Sequence, residues 1–430
     1  MARHQQHIAV LGAGALGLAA ARRLTQAGAR VTVIEREPLP GGLAAGFRVG
    51  PSWLEKFYHH IFGTDTRIIS LIDEVGLGAD LQWRSTPTSM LRNGRIYRLD
   101  GPVPVLQFTP LSIPSRLRLG ASLAALKLLP SPSIFEQSTA AHWIRRWMGD
   151  EVYQTVWEPL LRGKFGEHAE QVSMPWFWAR IYCRTPKLGY LRGGFQRLYE
   201  AMADEIRASG SEIQLETSVT RIERVNAGVQ VETDRGAERY DELLCTLPTR
   251  LFTQLSPGLP DDYRARYESS IEHYSAHCLV LELDRQLQAS YWLNVNDPGY
   301  PFLALVEHTN IMPPEDYGGS HLVYLGNYLP PKHELFSLEP QQILERYLPH
   351  IQRINPTFDS SWVKQVHSFS AHYAQPIVRV GYPRYLAPHR TPLEGVWLAN
   401  MGHVYPQDRG QNYSIALGER VAGMMSANLS

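Results

Sequence analysis

The feature that most constrains this fold lies in the first 45 residues of the chain. A short apolar run, His7–Leu11, is followed directly by glycines in the pattern GxGxxG. Residues with helical periodicity come next, then a second apolar run that ends at Ile34, and then Glu35. This order of strand, glycine-rich turn, helix, strand and acid predicts a βαβ unit that binds a dinucleotide.

Each position of this unit has a mechanical role. Gly12 permits the tight turn, Gly14 lets the backbone approach a diphosphate, and Gly17 lets the helix pack closely against the strand. The helix N-terminus then faces the phosphate charge. Glu35 lies 23 residues after Gly12, where an acid can accept hydrogen bonds from ribose hydroxyls. The residues predicted to bind the dinucleotide in this unit are Gly12, Gly14, Ala15, Leu16, Gly17, Glu35 and Arg36.

The residues after Glu35 decide which dinucleotide is expected. An acid at this position disfavours a 2′-phosphate, and six residues further on lie Gly41 and Gly42, followed by Leu43. Two adjacent glycines permit a second close approach of the backbone to a bound diphosphate. This arrangement resembles the extended FAD motif of the glutathione-reductase-like flavoproteins, in particular the amine oxidase, protoporphyrinogen oxidase and phytoene desaturase superfamily. The resemblance implies that FAD is the cofactor and that residues 41–43 contact it.

Three later segments support this resemblance. Residues 190–198 place a Gly-Gly pair and an aromatic residue ahead of a helix, as in the FAD domain of the family. Val219 opens an alternating strand and matches the position whose backbone contacts the adenine in the family. Residues 395–401 and the C-terminal helix resemble the closing FAD motif, in which a strand ends beside the ribityl chain and a helix points at the flavin.

The closing segment departs from the common family pattern. Many members have glycine followed by an acid where this chain has Asn400 and Met401, and the insertion of residues 403–413 is unusual. The departure bears on individual contacts rather than on the identity of the cofactor. The residues of this segment that the resemblance assigns to FAD are Asn400, Met401 and Asn412.

The resemblance also implies a fold and a domain organisation. We expect an α/β fold in which a glutathione-reductase-type, FAD-binding Rossmann domain is combined with a discontinuous α+β substrate domain. The FAD-binding domain is predicted to comprise residues 1–75, 190–250 and 395–430. The substrate domain is predicted to comprise residues 76–189 and 251–394.

Two polar clusters are candidates for contact with the flavin ring. The first contains Tyr58, His59 and His60, which follow the first FAD unit at the distance where family members return toward the isoalloxazine. Paired histidines can transfer protons at neutral pH. The alternative is a single helical turn with one buried, hydrogen-bonded histidine and one solvated histidine.

The second cluster lies between the ribityl strand and the flavin-facing helix of the family. Arg409 can stabilise a reduced flavin anion or hold an anionic substrate. The alternative is a loop held together by Asp408 and Arg409 without a further role. The cluster comprises His403, Tyr405, Asp408, Arg409 and Asn412, and a third candidate group comprises His372, Tyr373 and Arg379.

Composition argues against several classes of protein. The 42 Lys and Arg residues balance 42 Asp and Glu residues, whereas a nucleic-acid-binding protein would normally be basic. The three cysteines are far apart and form no CxxC pair, which predicts neither a disulfide framework nor a zinc site and is typical of a reducing cytoplasm. No uncharged run of 18 apolar residues occurs, so we expect no transmembrane helix. We therefore predict a cytoplasmic enzyme with a small-molecule substrate, no nucleic-acid partner and no metal.

Residues 103–129 allow two interpretations. The segment is apolar, contains a few basic residues, and predicts a helix over residues 115–129. One interpretation is a helix that covers a membrane surface or an apolar substrate, and the other is an ordinary helix packed in the substrate domain. The small number of basic residues favours the ordinary helix. Peripheral contact with a membrane therefore stays open.

The resemblance implies an FAD-dependent oxidoreductase that accepts hydride from a C–N or C–C bond of an organic substrate. The apolar content of the substrate half indicates a lipophilic one. One alternative is a non-oxidative flavoenzyme similar to UDP-galactopyranose mutase, in which Arg180, Arg184 and Arg192 could bind a diphosphate. Another is a non-catalytic, flavin-binding escort protein, which would lack a substrate cavity beside the ring.

Overall fold

The computed structural model describes residues 5–226 and 228–427, and within them a five-stranded parallel sheet forms the centre of the fold. All four pairings between neighbouring strands are parallel. The predicted α/β class is confirmed. From one edge to the other, the strands are Glu212–Gln214, Arg30–Ile34, His7–Leu11, Glu242–Cys245 and Val396–Leu398.

The two faces of this sheet are covered by different layers. Ile8 and Val10 lie in a core shared with helices, whereas Ala9 and Leu11 lie in a core shared with a small antiparallel sheet. This alternation follows from the period of two residues along a strand, and it explains why the strands are continuously apolar. The strands of the antiparallel sheet are Val219–Val225, Gly228–Thr233 and Gly236–Tyr240.

Helices Ala15–Gln26 and Gln411–Ser426 pack closely on one face of the parallel sheet. The approach is possible because residue 418 is glycine: a Cβ at Gly418 would lie 2.2 Å from the carbonyl oxygen of Leu16. Helix Gln196–Ala208 packs beside the first of them. The contact at Gly418 therefore fixes the first turn of helix Ala15–Gln26 relative to the C-terminal helix.

The parallel sheet is assembled from separate parts of the chain, namely the N-terminal βαβ unit, residues 212–245 and residues 396–398. The boundaries of the two predicted domains stay a prediction. Residues 1–4, 227 and 428–430 of those predicted domains lie outside the described part of the chain.

A second, seven-stranded sheet is built from the intervening segments. Its neighbouring strands are antiparallel, except that Trp292–Val295 runs parallel to Thr88–Arg92. Helix Pro340–Ile354 packs against two of its strands. In order, the strands are Val363–Pro376, His273–Leu283, His321–Leu329, Ala304–Glu307, Trp292–Val295, Thr88–Arg92 and Arg95–Arg98.

The helices between residues 102 and 182 share an apolar core of their own. They are Pro102–Leu106, Ile113–Leu128, Ala140–Trp147, Asp150–Val152, Glu158–Phe165 and Met174–Tyr182. The remaining α-helices are Thr66–Glu74, Thr249–Leu255 and Asp261–Tyr267. Short strands complete the fold: Gly46–Val49 pairs with Ser52–Glu55, and Lys187–Leu191 lies between Ile61–Phe62 and Leu81–Ser85.

Helix Ile113–Leu128, predicted over residues 115–129, is apolar on two opposite sides. Leu119 is 2% exposed and packs in the core, whereas Leu117 is 58% and Leu128 83% exposed. Within the described residues, no helix has both the length and the apolar character needed to cross a bilayer.

Candidate active site

A cavity of about 1010 Å³ lies between the parallel sheet and the rest of the chain. On one side it is lined by the turn after His7–Leu11 and by the first residues of helices Ala15–Gln26 and Gln411–Ser426. On the other side it is lined by residues of the seven-stranded sheet and of helices Glu158–Phe165 and Met174–Tyr182. The carboxyl ends of parallel strands are where ligands bind in open α/β sheets.

The turn after the first strand presents backbone to the cavity. Gly12 has a φ of +100°, which favours glycine, and its N–H donates to the carbonyl of Ile34 at 2.8 Å. A Cβ at Gly17 would lie 1.9 Å from the carbonyl oxygen of Gly12, so the helix can pack on this turn only because residue 17 is glycine. Gly14, at the N-cap, has no side chain that could occupy the first N–H groups of the helix. These groups and the helix dipole suit a phosphate.

Glu35 completes a cradle for a dinucleotide. Its Oε2 accepts the N–H of Ala13 at 2.8 Å, and its Oε1 accepts the N–H of Glu37 at 3.0 Å. Each carboxylate oxygen can accept a further donor, such as a ribose hydroxyl. The N–H of Gly41 donates to the carbonyl of Ala13 at 2.8 Å, which holds the second glycine pair against the first turn. Two glycine turns, a free helix N-terminus and a carboxylate therefore fit a dinucleotide with two phosphates.

The structure brings the residues predicted to bind the cofactor to this cavity, with the exception of Gly17, which packs beneath the turn. Those that line the cavity are Gly12, Gly14, Ala15, Leu16, Glu35, Arg36, Gly41, Gly42, Leu43, Val219, Asn400, Met401 and Asn412. Their predicted contacts with the cofactor stay a prediction.

Two of these residues have structural tasks that the sequence does not reveal. The side-chain amide of Asn400 accepts the N–H of Gly402 at 3.0 Å and donates to the carbonyl of Leu247 at 3.0 Å. The Oδ1 of Asn412 accepts two N–H groups at the start of helix Thr66–Glu74. Both side chains are thus held in fixed orientations at the cavity wall.

His59 and His60 line the cavity, and both are half-buried and make polar contacts. The Nδ1 of His59 lies 2.6 Å from the carbonyl oxygen of Phe57, and the Nδ1 of His60 lies 3.1 Å from the hydroxyl of Tyr291. Burial lowers the pKa of His59 to about 4, and burial together with the nearby Arg184 lowers the pKa of His60 to about 3. Both imidazoles are therefore neutral at pH 7. Any proton transfer by this pair would start from the neutral form.

Tyr58 lies on the same wall and stays protonated. Its ring stands edge-on to that of Trp292, with the centroids 4.9 Å apart. Burial raises the pKa of its hydroxyl well above the usual value. The side chain can therefore donate a hydrogen bond but not act as a phenolate.

A charged cluster surrounds Asp408. Its carboxylate accepts hydrogen bonds from Arg180 at 3.1 Å and from the indole of Trp176 at 3.2 Å, and it forms an ion pair with Lys164. Burial alone would raise the pKa of Asp408, but Lys164, Arg409 and Arg180 outweigh it and hold this pKa well below its usual value. Burial lowers the pKa of Lys164 well below its usual value, against the attraction of Asp408 and with the help of the two arginines.

Arg409 lines the cavity beside this cluster. Its guanidinium donates to the side chains of Gln375 and Tyr328 and lies 4.8 Å from the centre of the Tyr328 ring. Two other members of the predicted cluster lie away from the cavity wall. His403 contacts the carbonyl of Ala387 at 2.8 Å, and Tyr405 contacts Ser173 and Glu136.

The third candidate group, His372, Tyr373 and Arg379, also lies only partly at the cavity. His372 and Tyr373 line the cavity, whereas Arg379 pairs with Glu272 outside it. Tyr373 has a φ of +57°, a conformation that is uncommon for residues other than glycine and that occurs at functional sites.

Lys164 is the functional candidate that sequence reasoning missed. It lies on helix Glu158–Phe165, three residues after the buried Leu161, so the helical period places it on the buried side. A lysine on the buried side of a helix is rare unless it has a partner, and this signal could have marked it. Its partner Asp408 is 244 residues away in the sequence and could not have been named.

Comparison with known proteins identifies the family. Residues 17–406 match the family described as flavin containing amine oxidoreductase. The chain belongs to this family. Membership confirms the predicted superfamily and FAD as the cofactor, and the family is one of flavin-dependent oxidoreductases.

Individual relatives within the superfamily are distant. A Mycobacterium tuberculosis protein named as a flavin-containing monoamine oxidase, AofH, is 26% identical over 288 residues, which is 60% of this chain and 60% of that protein. The chain thus spans less than two thirds of that relative. Putrescine oxidase of Kocuria rosea is 23% identical over 440 residues, which is 90% of this chain and 88% of the relative.

Solved structures show the same fold. A protein from Exiguobacterium, described as a protoporphyrinogen oxidase, has a TM-score of 0.78 at 20% identity, with 99% of this chain and 100% of that chain covered. Reduced UDP-galactopyranose mutase has a TM-score of 0.76 at 15% identity, with 99% and 96% covered. At these identities the likeness concerns the fold alone.

The cavity extends well beyond the cofactor residues, unlike the cavity-free site expected of an escort protein.

Proposed function

We propose that this family member accepts a hydride from a C–N or C–C bond of an organic substrate with a large apolar part. FAD, when bound, supplies the redox chemistry by accepting the hydride and passing electrons to oxygen or another acceptor. The chain has to hold the reacting carbon of the substrate in place, exclude water and accept any proton that is released.

The apolar wall of the cavity is the observation that supports this proposal. Trp157 and Phe177 meet edge to face, with their ring centroids 4.7 Å apart. Such a wall favours an apolar substrate body and keeps water away from the reacting atoms. The apolar side chains that line this part are Trp157, Leu160, Leu161, Phe177, Trp292 and Leu303.

The need for a base distinguishes oxidation of a C–C bond from oxidation of a C–N bond. Oxidation of a C–C bond to an alkene removes a hydride and also a proton, so it requires a base. Oxidation of a neutral amine to an iminium ion removes a hydride alone. At pH 7 each histidine has an unprotonated ring nitrogen that can take up the proton of the first reaction. The pKa is about 4 for His59 and about 3 for His60, so the proton has to pass on to water or to another group. Replacement of the histidines should therefore slow the oxidation of a C–C bond more than that of a C–N bond.

Anaerobic reduction of the enzyme-bound flavin tests the proposal. The FAD-loaded protein is mixed with a panel of apolar amines and of apolar compounds with an activated C–C bond, and the loss of flavin absorbance is followed. Bleaching by members of one group, with release of the oxidised product, would support the proposal. A flavin that no member of either group reduces would refute it.

Two arginines at the cavity support a second candidate function. Arg180 and Arg184 line the cavity, as a diphosphate-binding pair in a mutase would, whereas Arg192 pairs with Asp316 at 3.0 Å elsewhere on the surface. An isomerase similar to UDP-galactopyranose mutase would convert its nucleotide sugar only after prior reduction of the flavin. Turnover of UDP-galactopyranose under reducing conditions, and none without reductant, would favour this function over the first.

A further part of the proposal concerns the membrane. The exposed leucines of helix Ile113–Leu128 lie on one side together with Ile113, which is 67% exposed. Leu106, on the preceding short helix, is 50% exposed, and the guanidinium of Arg116 donates to its carbonyl at 2.9 Å. An exposed apolar face flanked by basic side chains is typical of helices that lie in the interface of a membrane. Binding to anionic vesicles tests this part.

A further inference from the structure

The cavity carries more positive charge around Asp408 than its carboxylates balance. In the described part of the chain, four basic side chains line this region, and Asp408 is the carboxylate that pairs with three of them, Lys164, Arg180 and Arg409. Asp65, another carboxyl on the cavity wall, instead accepts the N–H of Phe62 at 2.8 Å. The four basic side chains are Lys164, Arg180, Arg184 and Arg409. Burial lowers the pKa of Lys164, but the three guanidinium groups alone outnumber the carboxylate of Asp408.

Arg184 is the cation with unused hydrogen-bonding capacity. Across residues 5–226 and 228–427, no group accepts a hydrogen bond from its guanidinium, whereas Arg180 and Arg409 both have side-chain acceptors. Arg184 lines the cavity, is exposed to solvent, and lies close enough to Arg180 for the two positive charges to repel each other. An anion bound between the two guanidinium groups would supply the missing acceptors.

Apolar side chains adjoin these cations on the same helices. Helix Glu158–Phe165 carries Leu160 and Leu161 to the cavity together with Lys164, and helix Met174–Tyr182 carries Phe177 together with Arg180. A ligand that fits both features has a charged group at one end and an apolar body at the other.

We infer that the substrate carries a multiply charged anionic group of the phosphate class, which Arg180 and Arg184 bind while the apolar body lies against Leu160 and Phe177. This inference deepens the proposed function and rests on it. A protonated amine at the same place would be repelled by the cations, so the inference also argues against simple alkylamines as substrates.

Probes of equal chain length test the charge preference. Octyl phosphate, octanoate and octylamine are titrated into the FAD-loaded protein, and binding is measured by calorimetry rather than by turnover. We expect octyl phosphate to bind at least tenfold more tightly than octanoate, and octylamine not to bind. Octylamine or octanoate binding as tightly as octyl phosphate would overturn the inference.

Arg184→Gln locates the site. Because no group of the described chain is bonded to this guanidinium, the substitution removes no internal hydrogen bond, and the variant is expected to fold and to retain FAD. Loss of a charge-assisted hydrogen bond should weaken octyl phosphate by about tenfold or more. Arg192→Gln is the matched control, since Arg192 lies outside the cavity and pairs with Asp316. Equal affinities of the Arg184→Gln variant and the unchanged protein for octyl phosphate would contradict the inference.

Two further measurements separate this inference from a role of the cations toward the flavin and from the proposed oxidation. If Arg184→Gln shifts the flavin midpoint potential but leaves the affinity for octyl phosphate unchanged, the cations serve the flavin and the inference is wrong. If octyl phosphate binds as expected while no apolar compound reduces the flavin, the anion site stands and the proposed oxidation falls. Failure of the inferred anion site and failure of the proposed oxidation therefore give different results.

Discussion

Gly418 offers a direct test of how the fold holds its cofactor. In Gly418→Ala, the new Cβ would lie 2.2 Å from the carbonyl oxygen of Leu16 and 3.2 Å from the backbone nitrogen of Ala20. Carbon–oxygen contacts in proteins settle at about 3.3 Å, so the two helices have to separate by about 1 Å. Overpacking of this kind costs about 1–3 kcal/mol, and the better helix propensity of alanine returns about 1 kcal/mol. We therefore expect a net loss of up to about 2 kcal/mol of stability.

The same displacement should weaken cofactor binding. Leu16 lies in the first turn of the helix whose N–H groups face the cavity, so a shift at Leu16 moves the groups that would bind the phosphates. Gly423→Ala is the matched control, because a Cβ there has no neighbour within 4 Å in the described chain and should stabilise the same helix by about 1 kcal/mol. FAD per chain after dialysis and the temperature of flavin release are the measurements. A Gly418→Ala protein that retains FAD and melts like the unchanged protein would refute this reasoning.

Three further predictions concern separate parts of the molecule. Glu35→Ala removes the acceptor of two backbone N–H groups and the predicted acceptor of the ribose hydroxyls, and should weaken FAD by about tenfold or more in equilibrium titrations, whereas Glu37→Ala should not. Burial raises the pKa of Glu55 to about 7, so the stability that its protonated form contributes is complete below pH 4.5 and lost as the pH rises through 7. The unfolding midpoint of Glu55→Gln should not show this pH dependence. A Glu55→Gln variant with the same pH dependence as the unchanged protein would contradict the prediction. Leu117→Glu should abolish flotation with anionic vesicles, whereas Met424→Glu, on another exposed apolar residue, should not.

The parts of the fold that depend on neighbouring residues could be predicted from the sequence. Glycine spacing and apolar periodicity predicted the N-terminal βαβ unit, which the structure forms as His7–Leu11, Ala15–Gln26 and Arg30–Ile34. The helix predicted over residues 115–129 is formed as Ile113–Leu128, within two residues of the predicted bounds. These elements are determined by turn chemistry and by periods of two or 3.6 residues, which a single sequence displays.

The candidate site could be predicted only in part, because its charges come from distant segments. The sequence marked Asp408 and Arg409 as neighbours, but the cationic partners Lys164 and Arg180 of Asp408 lie on helices more than 200 residues earlier in the chain. The protonation of His59 and His60 was equally hidden, since a pattern of residue types does not reveal that packing lowers the pKa of both rings. Long-range packing therefore determines the electrostatics of the site, whereas local patterns determine its cofactor cradle.

Lys127 connects the exposed helix with the anion site that we infer. Its ammonium donates to the carbonyl of Tyr182 at 3.0 Å and to the carbonyl of Arg184. A molecule with a charged head and a long apolar chain is held at the surface of a membrane, so the proposed membrane contact and the proposed substrate class support each other. If both proposals hold, Leu117→Glu should reduce turnover of a substrate presented in vesicles while its affinity for octyl phosphate in solution stays unchanged. Equal losses of both would mean that Leu117 stabilises the fold instead of contacting lipid.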